Sequence, residues 1–406
     1  MLKAISLFTG AGGLDFGFEA AGFQTRAAVE LDPVCCRILR LNRRWPVLEG
    51  DLHAIGTEDI LHAAGLRRGE VDILVGGPPC QPFSKSGYWV RGDALRLADP
   101  RAETLTAFLR VVREALPRVF VIENAPGLAY KGKDEGLARI LTGIKHINRS
   151  AGTRYEASWR VIDAADFGVP QHRERVFVIA SREGRPFQFP SATHGKTDSL
   201  PWQQQLEPYC TAWDAFADLP QNIADPSLRV GGKWANLLPS IPEGENYLWH
   251  TPRGGGLPLF GWRTRYWSFL LKLAKDRPSW TIQAQPGSAT GPFHWRNRKL
   301  SPREMSRLQT LPDGLVFDCG RTDLQRMLGN AVPSLVAEIL GREIRRQLLD
   351  KPMRSAPLRL LLPRNSVAPR PHRTAKVPRE FLSLRGHHAD HPGEGKGAGA
   401  RARQAA

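Results

Sequence analysis

The sequence is poor in the features that define several large protein classes. Among its 406 residues there are only five cysteines (Cys35, Cys36, Cys80, Cys210 and Cys319), an odd set with no CxxC pair, which excludes a disulfide framework and a zinc site. No other metal cluster is expected. No segment approaches the ~18 consecutive apolar residues of a membrane span, and the apolar run after Met1 reaches Gly10 too soon for a signal-peptide core. A soluble, cytoplasmic protein without membrane contact is expected. No internal repeat is visible, so a solenoid is excluded. Acids are in deficit, 40 Asp+Glu against 57 Lys+Arg for a net charge of +17, which points to a polyanionic partner. With 41% hydrophobic and 24% charged residues the chain is neither disordered nor a coiled coil. Its length suggests about two domains.

The basic surplus is unevenly spread. Residues 351–406 carry 12 Lys+Arg against 3 Asp+Glu, which leaves +8 of the net charge for the first 350 residues. This end is rich in Pro, Gly, Ala and His without apolar periodicity, and is expected to be a mostly disordered, solvated tail. Over residues 1–185, β-branched runs at 4–8, 71–75, 119–123 and 175–180 alternate with helical patterns at 14–21, 34–41 and 102–115. That rhythm predicts a doubly wound, Rossmann-like α/β sheet. Over 186–297 it stops, Pro, Gly, Gln and Trp dominate, and eight of the eleven tryptophans occur, which predicts a smaller domain of irregular construction. The first part of this region (186–245) is net −4 and the second (246–297) net +6, so a basic face belongs to the second. Helical character returns at Ser301, where SPRE supplies an N-cap, a proline at the first helical position and a glutamate three residues after the cap. A last helix is expected from near Pro333. Residues 298–350 should pack back on the first domain, making 186–297 an insertion.

The first strand runs into TGAGGLDFG, where Gly10, Gly12 and Gly13 permit a tight turn before a helix N-terminus. The pyrophosphate fingerprint GxGxxG would need glycine at 15, but Asp15 stands there and is expected to repel a phosphate. A nucleoside without phosphates fits better. Glu30, about 20 residues on at the end of the next strand, can accept from both ribose hydroxyls, and Asp51 from an adenine amine. S-adenosylmethionine, with its adenine, ribose and sulfonium, meets these terms.

A second cluster lies at the ends of later strands. Cys80 sits in GGPPCQPFSKSG, whose prolines stiffen the backbone, where a doubly wound sheet places its ligands. VFVIENAPG delivers Glu123 beside it, and QHRERVF places Arg173 and Arg175 just before another strand. The three groups suit one reaction. A thiolate adds to carbon 6 of a cytosine whose ring nitrogen 3 receives a proton from a carboxylic acid, and carbon 5 then attacks the sulfonium methyl. Guanidinium groups hold the carbonyl oxygen of the base and nearby phosphates.

At this point the sequence resembles the bacterial DNA (cytosine-5) methyltransferases. The matching segments are FTGAGGLDFG (8–17), GGPPCQPFS (76–84), ENAPG (123–127), QHRERVF (171–177), RKLSPREMSRLQTLPD (298–313) and QRMLGNAVP (325–333), in the family's order. The resemblance implies that Cys80 is the nucleophile, Glu123 the acid, and Arg173 and Arg175 the pair that supports the flipped base and the cysteine. It implies a cofactor pocket of Phe8, Gly10, Gly12, Gly13, Glu30, Asp51, Pro79, Asn330 and Val332, a loop at 81–99 that closes over the extruded cytosine, and a target-recognition domain at 186–297. Candidate base readers there are Arg253, Arg263, Arg265, Gln283, Gln285 and Arg296. The partner implied is duplex DNA, bound by a monomer in the bacterial cytoplasm, with a restriction endonuclease acting on the same site. Leu31 stands where relatives often carry an aromatic against adenine, Ala125 replaces a usual valine, and either Thr104 or Leu105 fills the family's leucine position. Rival readings are an RNA methyltransferase, a noncatalytic DNA-binding protein and a nicotinamide dehydrogenase.

Overall fold

The apolar runs of the first half become strands of one seven-stranded sheet. In chain order these are β1 (Leu2–Leu7), β2 (Phe23–Glu30), β3 (Val47–Glu49), β4 (Ile73–Gly76), β5 (Val119–Asn124), β6 (Glu156–Asp163) and β7 (Glu174–Ser181), arranged β3-β2-β1-β4-β5-β7-β6. The structure is a computed structural model describing residues 1–79, 103–130, 135–196, 206–261, 267–353, 356–364 and 367–386. Strands β1 to β5 pair in parallel. β7 runs antiparallel to both β5 and β6. This one reversal has a functional result: the beginning of β7 lies beside the end of β5, so residues that precede one strand meet residues that finish the other.

The helices are α1 (Gly13–Ala20), α2 (Pro33–Asn42), α3 (Thr57–Ala64), α4 (Glu103–Ala115), α5 (Glu135–Ala151), α6 (Ala212–Phe216), α7 (Pro302–Leu308), α8 (Arg321–Asn330) and α9 (Ser334–Gln347). Local chemistry sets several of their starts. Asp32 caps α2 by accepting from the backbone N–H of Val34, with Pro33 at the first position. Ser301 and Glu304 form a reciprocal capping box on α7. β5 shows why its sequence is continuously apolar: Phe120 and Ile122 pack under α4 and α5, while Val119 and Val121 face the opposite layer, which holds α1 and α9. That second layer is unusually close, because Gly13 and Gly17 of α1 and Gly341 of α9 let the helices approach without side chains between them. Ser334 Oγ donates to the Gly13 carbonyl at 2.8 Å, which ties the start of α9 to the loop after β1.

Packing divides the inserted region differently from its composition. α6, Trp213 and Leu219 join Trp295, α7 and α8 in a cluster of the main body. A separate small core begins near Leu237 and gathers Leu238, Ile241, Tyr247, Leu259, Leu270 and Phe293. The expected disordered tail is also corrected in part. Arg359 and Leu360 donate their backbone N–H groups to the Glu338 carboxylate of α9. Farther on, Phe381 is buried in the insert's own core, the Ala375 N–H bonds to the Pro239 carbonyl, and Glu243 accepts from both Lys275 and the His372 N–H. Isolated apolar residues among prolines and arginines carried no periodicity, yet Val377, Phe381 and Leu384 complete a core the insert cannot close alone. Residues 387–406 lie outside the described residues.

Candidate active site

The strand order turns back between β1 and β4, the crevice where a doubly wound sheet binds ligands. Two loops flank it. The first follows β1 through Phe8, Gly10, Gly12 and Gly13; the second follows β4 through Gly77, Pro78 and Pro79. Cys80 and the expected closing loop at 81–99 lie outside the described residues, but the chain leading to Cys80 is fastened at each step. Asn124 Nδ2 donates to the Pro78 carbonyl at 3.0 Å and Thr104 Oγ1 to the Pro79 carbonyl at 3.3 Å. Leu105 points into the core, so of the two candidates for the leucine position it is Thr104 that faces this loop.

Glu123, buried at the end of β5, forms an ion pair with Arg175, Oε1 to Nε at 2.8 Å. The antiparallel β7 makes this contact possible. Burial pushes the Glu123 carboxyl above the ordinary carboxylate range, while Arg175 and Arg173 pull it back. Its second oxygen lies against Gly77, where an added Cβ would stand 2.9 Å from Oε2. Arg173 has different work from its neighbour. Fully buried, it donates to the carbonyls of Gly329 at 2.7 Å and Ile282 at 3.4 Å, and its Nε has no partner among the described residues. It thus braces the end of α8 and the strip at 279–284 against the site.

In the first loop the Glu30 carboxylate accepts from the Gly10 N–H at 2.6 Å and the Asp32 N–H at 2.9 Å, which fixes the turn and leaves acceptor capacity on both oxygens. Burial raises its pKa. Phe8 takes a left-handed φ of 54°, a strained conformation for a non-glycine residue. Asp51 is exposed and its Oδ1 accepts from the His53 N–H and ring, which lower its pKa. Leu31, 63% exposed, is an apolar side chain in water between these two acids in sequence. Asn330 is exposed and Val332 buried, with the Val332 carbonyl directly above Gly13. The Glu30 carboxylate takes the Gly10 N–H that a phosphate would use and places an acid there, so the set fits nucleoside hydroxyls better than a pyrophosphate.

The argument from Asp15 needs correction. The carboxyl does not face the loop: it is buried under β1, accepts from Ser6 Oγ at 3.0 Å, and has one oxygen without a partner among the described residues. Burial, opposed by the Ser6 bond, raises its pKa to about 7. Asp15 therefore supports the turn from below, and the case against a phosphate rests on the Glu30 carboxylate at the Gly10 N–H instead.

Other contributors escaped sequence reasoning. Asn124 holds the Pro78 carbonyl, yet nothing in its spacing shows it; Gln171, fully buried, donates to the Leu308 carbonyl and accepts from the Ile282 N–H. Among the proposed base readers, Arg253, Gln283, Gln285 and Arg296 are exposed, while Arg263 and Arg265 lie outside the described residues. Among the described residues no group of three or more His, Cys, Asp or Glu side chains could hold a metal, and no helix is long and apolar enough to cross a membrane.

Comparison with known proteins agrees with this geometry. Residues 2–346 match the family model described as C-5 cytosine-specific DNA methylase. The type II methyltransferase M.SacI of Streptomyces achromogenes is 40% identical over 373 residues, covering 86% of this chain and 93% of that protein. M.AquIA of Picosynechococcus is 48% identical over 225 residues, 54% of this chain and 89% of that one. Among solved structures, Dnmt2 of S. pombe superposes with a TM-score of 0.56 at 16% identity, covering 85% of this chain and 99% of its own, which supports the fold. With a family match over most of its length, the chain belongs to the C-5 cytosine-specific DNA methylases.

Proposed function

We propose that the protein transfers a methyl group from S-adenosylmethionine to carbon 5 of a cytosine extruded from a short duplex DNA sequence. The observation that carries this reading is the buried Glu123–Arg175 pair, with the acid's free oxygen turned to Gly77, three residues before Cys80. In this scheme Cys80 Sγ adds to carbon 6 while Glu123 gives its proton to ring nitrogen 3. Burial raises this carboxyl above the ordinary carboxylate range, which favours the protonated form the step uses, and Arg175 keeps it oriented. Carbon 5 would take the methyl group as the sulfonium's carbon–sulfur bond breaks to leave a neutral thioether; a base then removes the carbon 5 proton, ring nitrogen 3 returns its proton to Glu123, and the carbon 6–sulfur bond breaks to free Cys80 and restore the aromatic ring.

S-adenosylmethionine, when bound, supplies an electrophilic methyl group. Phe8, Gly10, Gly12, Gly13 and Pro79 would line its pocket, the Glu30 carboxylate would accept from the ribose hydroxyls, and Asp51 from the adenine amine. Leu31 would lose its exposure against the adenine face, and Asn330 and Val332 would close the pocket from the C-terminal side. The type II relatives support a place in a restriction-modification system, with an endonuclease that cuts the same unmethylated site. Duplex DNA carrying 5-fluorocytosine at the target should trap a covalent adduct, because fluorine cannot leave as a proton does. Mass spectrometry should find the adduct on Cys80 and none with Cys80→Ala; methyl transfer at a normal rate by that variant would end the scheme.

A further inference from the structure

Among the described residues of the insert, Trp213, Trp234, Trp249 and Trp295 pack into cores, but Trp267 and Trp280 do not. Trp267 is 50% and Trp280 41% exposed, and their indoles meet edge to face with centroids 5.5 Å apart. Trp280 also lies against His172, at 6.1 Å, and His172 against Tyr209, at 5.4 Å, so the four rings form one continuous ridge. Two large apolar rings side by side in water form an apolar patch that a partner can cover.

The ridge is rigid and placed beside the reaction. The His172 N–H donates to the Ser279 carbonyl at 2.8 Å, Thr281 Oγ1 returns a bond to the His172 carbonyl at 2.7 Å, and Gln171 holds the Ile282 N–H at 2.9 Å. Trp280 is thus held on both sides by Gln171 and His172, the two residues that lead into Arg173. The Trp267 carbonyl accepts from Asn246 Nδ2 at 2.7 Å, and Gln283 joins Ser268 at 3.0 Å. His172 Nδ1 pairs with Asp163 at 2.8 Å and Tyr209 with Asp166 at 3.0 Å, so both rings are held in orientation. The surrounding segment, 246–297, is net +6.

We infer that the Trp267–Trp280 pair is a DNA contact, packing its indole faces against the nucleotide that flanks the extruded cytosine. Extrusion opens a base stack, and the exposed face of the neighbouring base is what a fixed aromatic edge can cover. The positive segment favours a polyanion over a second copy of an equally basic chain. This deepens the methyltransferase reading and rests on it.

The test compares wild type with Trp280→Ala, Trp267→Ala and Trp280→Phe on unmethylated, whole-genome-amplified DNA. Loss of a stacking face should raise KM for DNA, and weaken duplex binding in a filter assay, by roughly tenfold or more in the alanine variants. KM for S-adenosylmethionine and the melting temperature should stay at wild-type values, and Trp280→Phe should retain most of the DNA affinity. Unchanged KM and binding in both alanine variants would overturn the inference, as would a parallel rise in KM for the cofactor, which marks a structural role. A variant that converts a dimer to a monomer in gel filtration without changing DNA binding would also overturn it, assigning the ridge to self-association. If wild type binds duplex but transfers no methyl to cytosine, the reaction assignment fails, while the binding comparison still decides the ridge.

Discussion

Replacing Gly17 with alanine should weaken cofactor binding although Gly17 touches no cofactor. A Cβ at this position would lie 2.2 Å from the Ser334 carbonyl oxygen, 2.4 Å from Ala337 Cβ and 2.8 Å from the Glu338 nitrogen. Two of these are backbone atoms, which cannot swing aside as a flexible side chain would. To reach ordinary contact, α1 and α9 must separate by roughly 1 Å. In a helix interior alanine is worth about 0.5–1 kcal/mol more than glycine, while forcing a methyl group into a full interface costs about 1–3 kcal/mol. The net effect should be a loss of about 1–2 kcal/mol. The effect reaches the cofactor loop, because the same separation lifts the Val332 carbonyl from Gly13 and strains the Ser334–Gly13 bond, the contacts that hold Asn330 and Val332 over the loop after β1. Isothermal titration with S-adenosylmethionine should show about tenfold weaker binding, a change of about 1.4 kcal/mol, with a folded, slightly less stable protein by thermal melting. A variant that is more stable than wild type and binds the cofactor normally would refute the close helix contact and the coupling built on it.

Three further perturbations separate the other claims. Asp15 carries a proton up to about pH 7 in the folded chain and only to about 4 when unfolded, so the native state binds the extra proton between those values and loses stability as pH rises through them. Asp15→Asn should remove about 4 kcal/mol of that pH dependence; urea midpoints from pH 4 to 8 that keep the wild-type slope would contradict it. Gly77→Ala places a methyl group 2.9 Å from Glu123 Oε2 and should reduce kcat by about 10- to 100-fold with little change in KM for the cofactor, and normal turnover would show that the acid is not held there. Ending the chain at residue 366 removes Phe381, Val377 and Leu384 from the insert's core. Losing a buried phenylalanine side chain alone costs about 3–5 kcal/mol, so limited proteolysis should cut the insert while cofactor binding persists. An insert as resistant as wild type would return the segment to the role of a free tail.

The chemistry was legible in the sequence because it sits at strand ends, where apolar runs give way to Gly, Pro and charged residues. Glu123, Glu30 and the glycine turn could be placed from that pattern alone. Their partners could not. The contact of Arg175 with Glu123 depends on β7 reversing direction, and a short apolar run looks the same in either direction. The burial of Asp15 was missed for a related reason: i, i+4 spacing says which helix face a residue occupies but not that α1 turns this face under β1. The tail was misread because Phe381 stands alone among prolines and arginines, so its core is completed by distant residues and leaves no local period. For the tryptophans, composition announced a domain without distinguishing the rings that fill it from the two that project from it.

The central claim is tested most directly on unmethylated, whole-genome-amplified DNA incubated with the purified protein and S-adenosylmethionine, then sequenced after bisulfite conversion. The protein should protect cytosines from conversion at one short sequence on the duplex, and Cys80→Ala should protect none. Complete conversion throughout in a folded, cofactor-binding preparation, or methyl label incorporated only into RNA offered in parallel, would contradict the assignment.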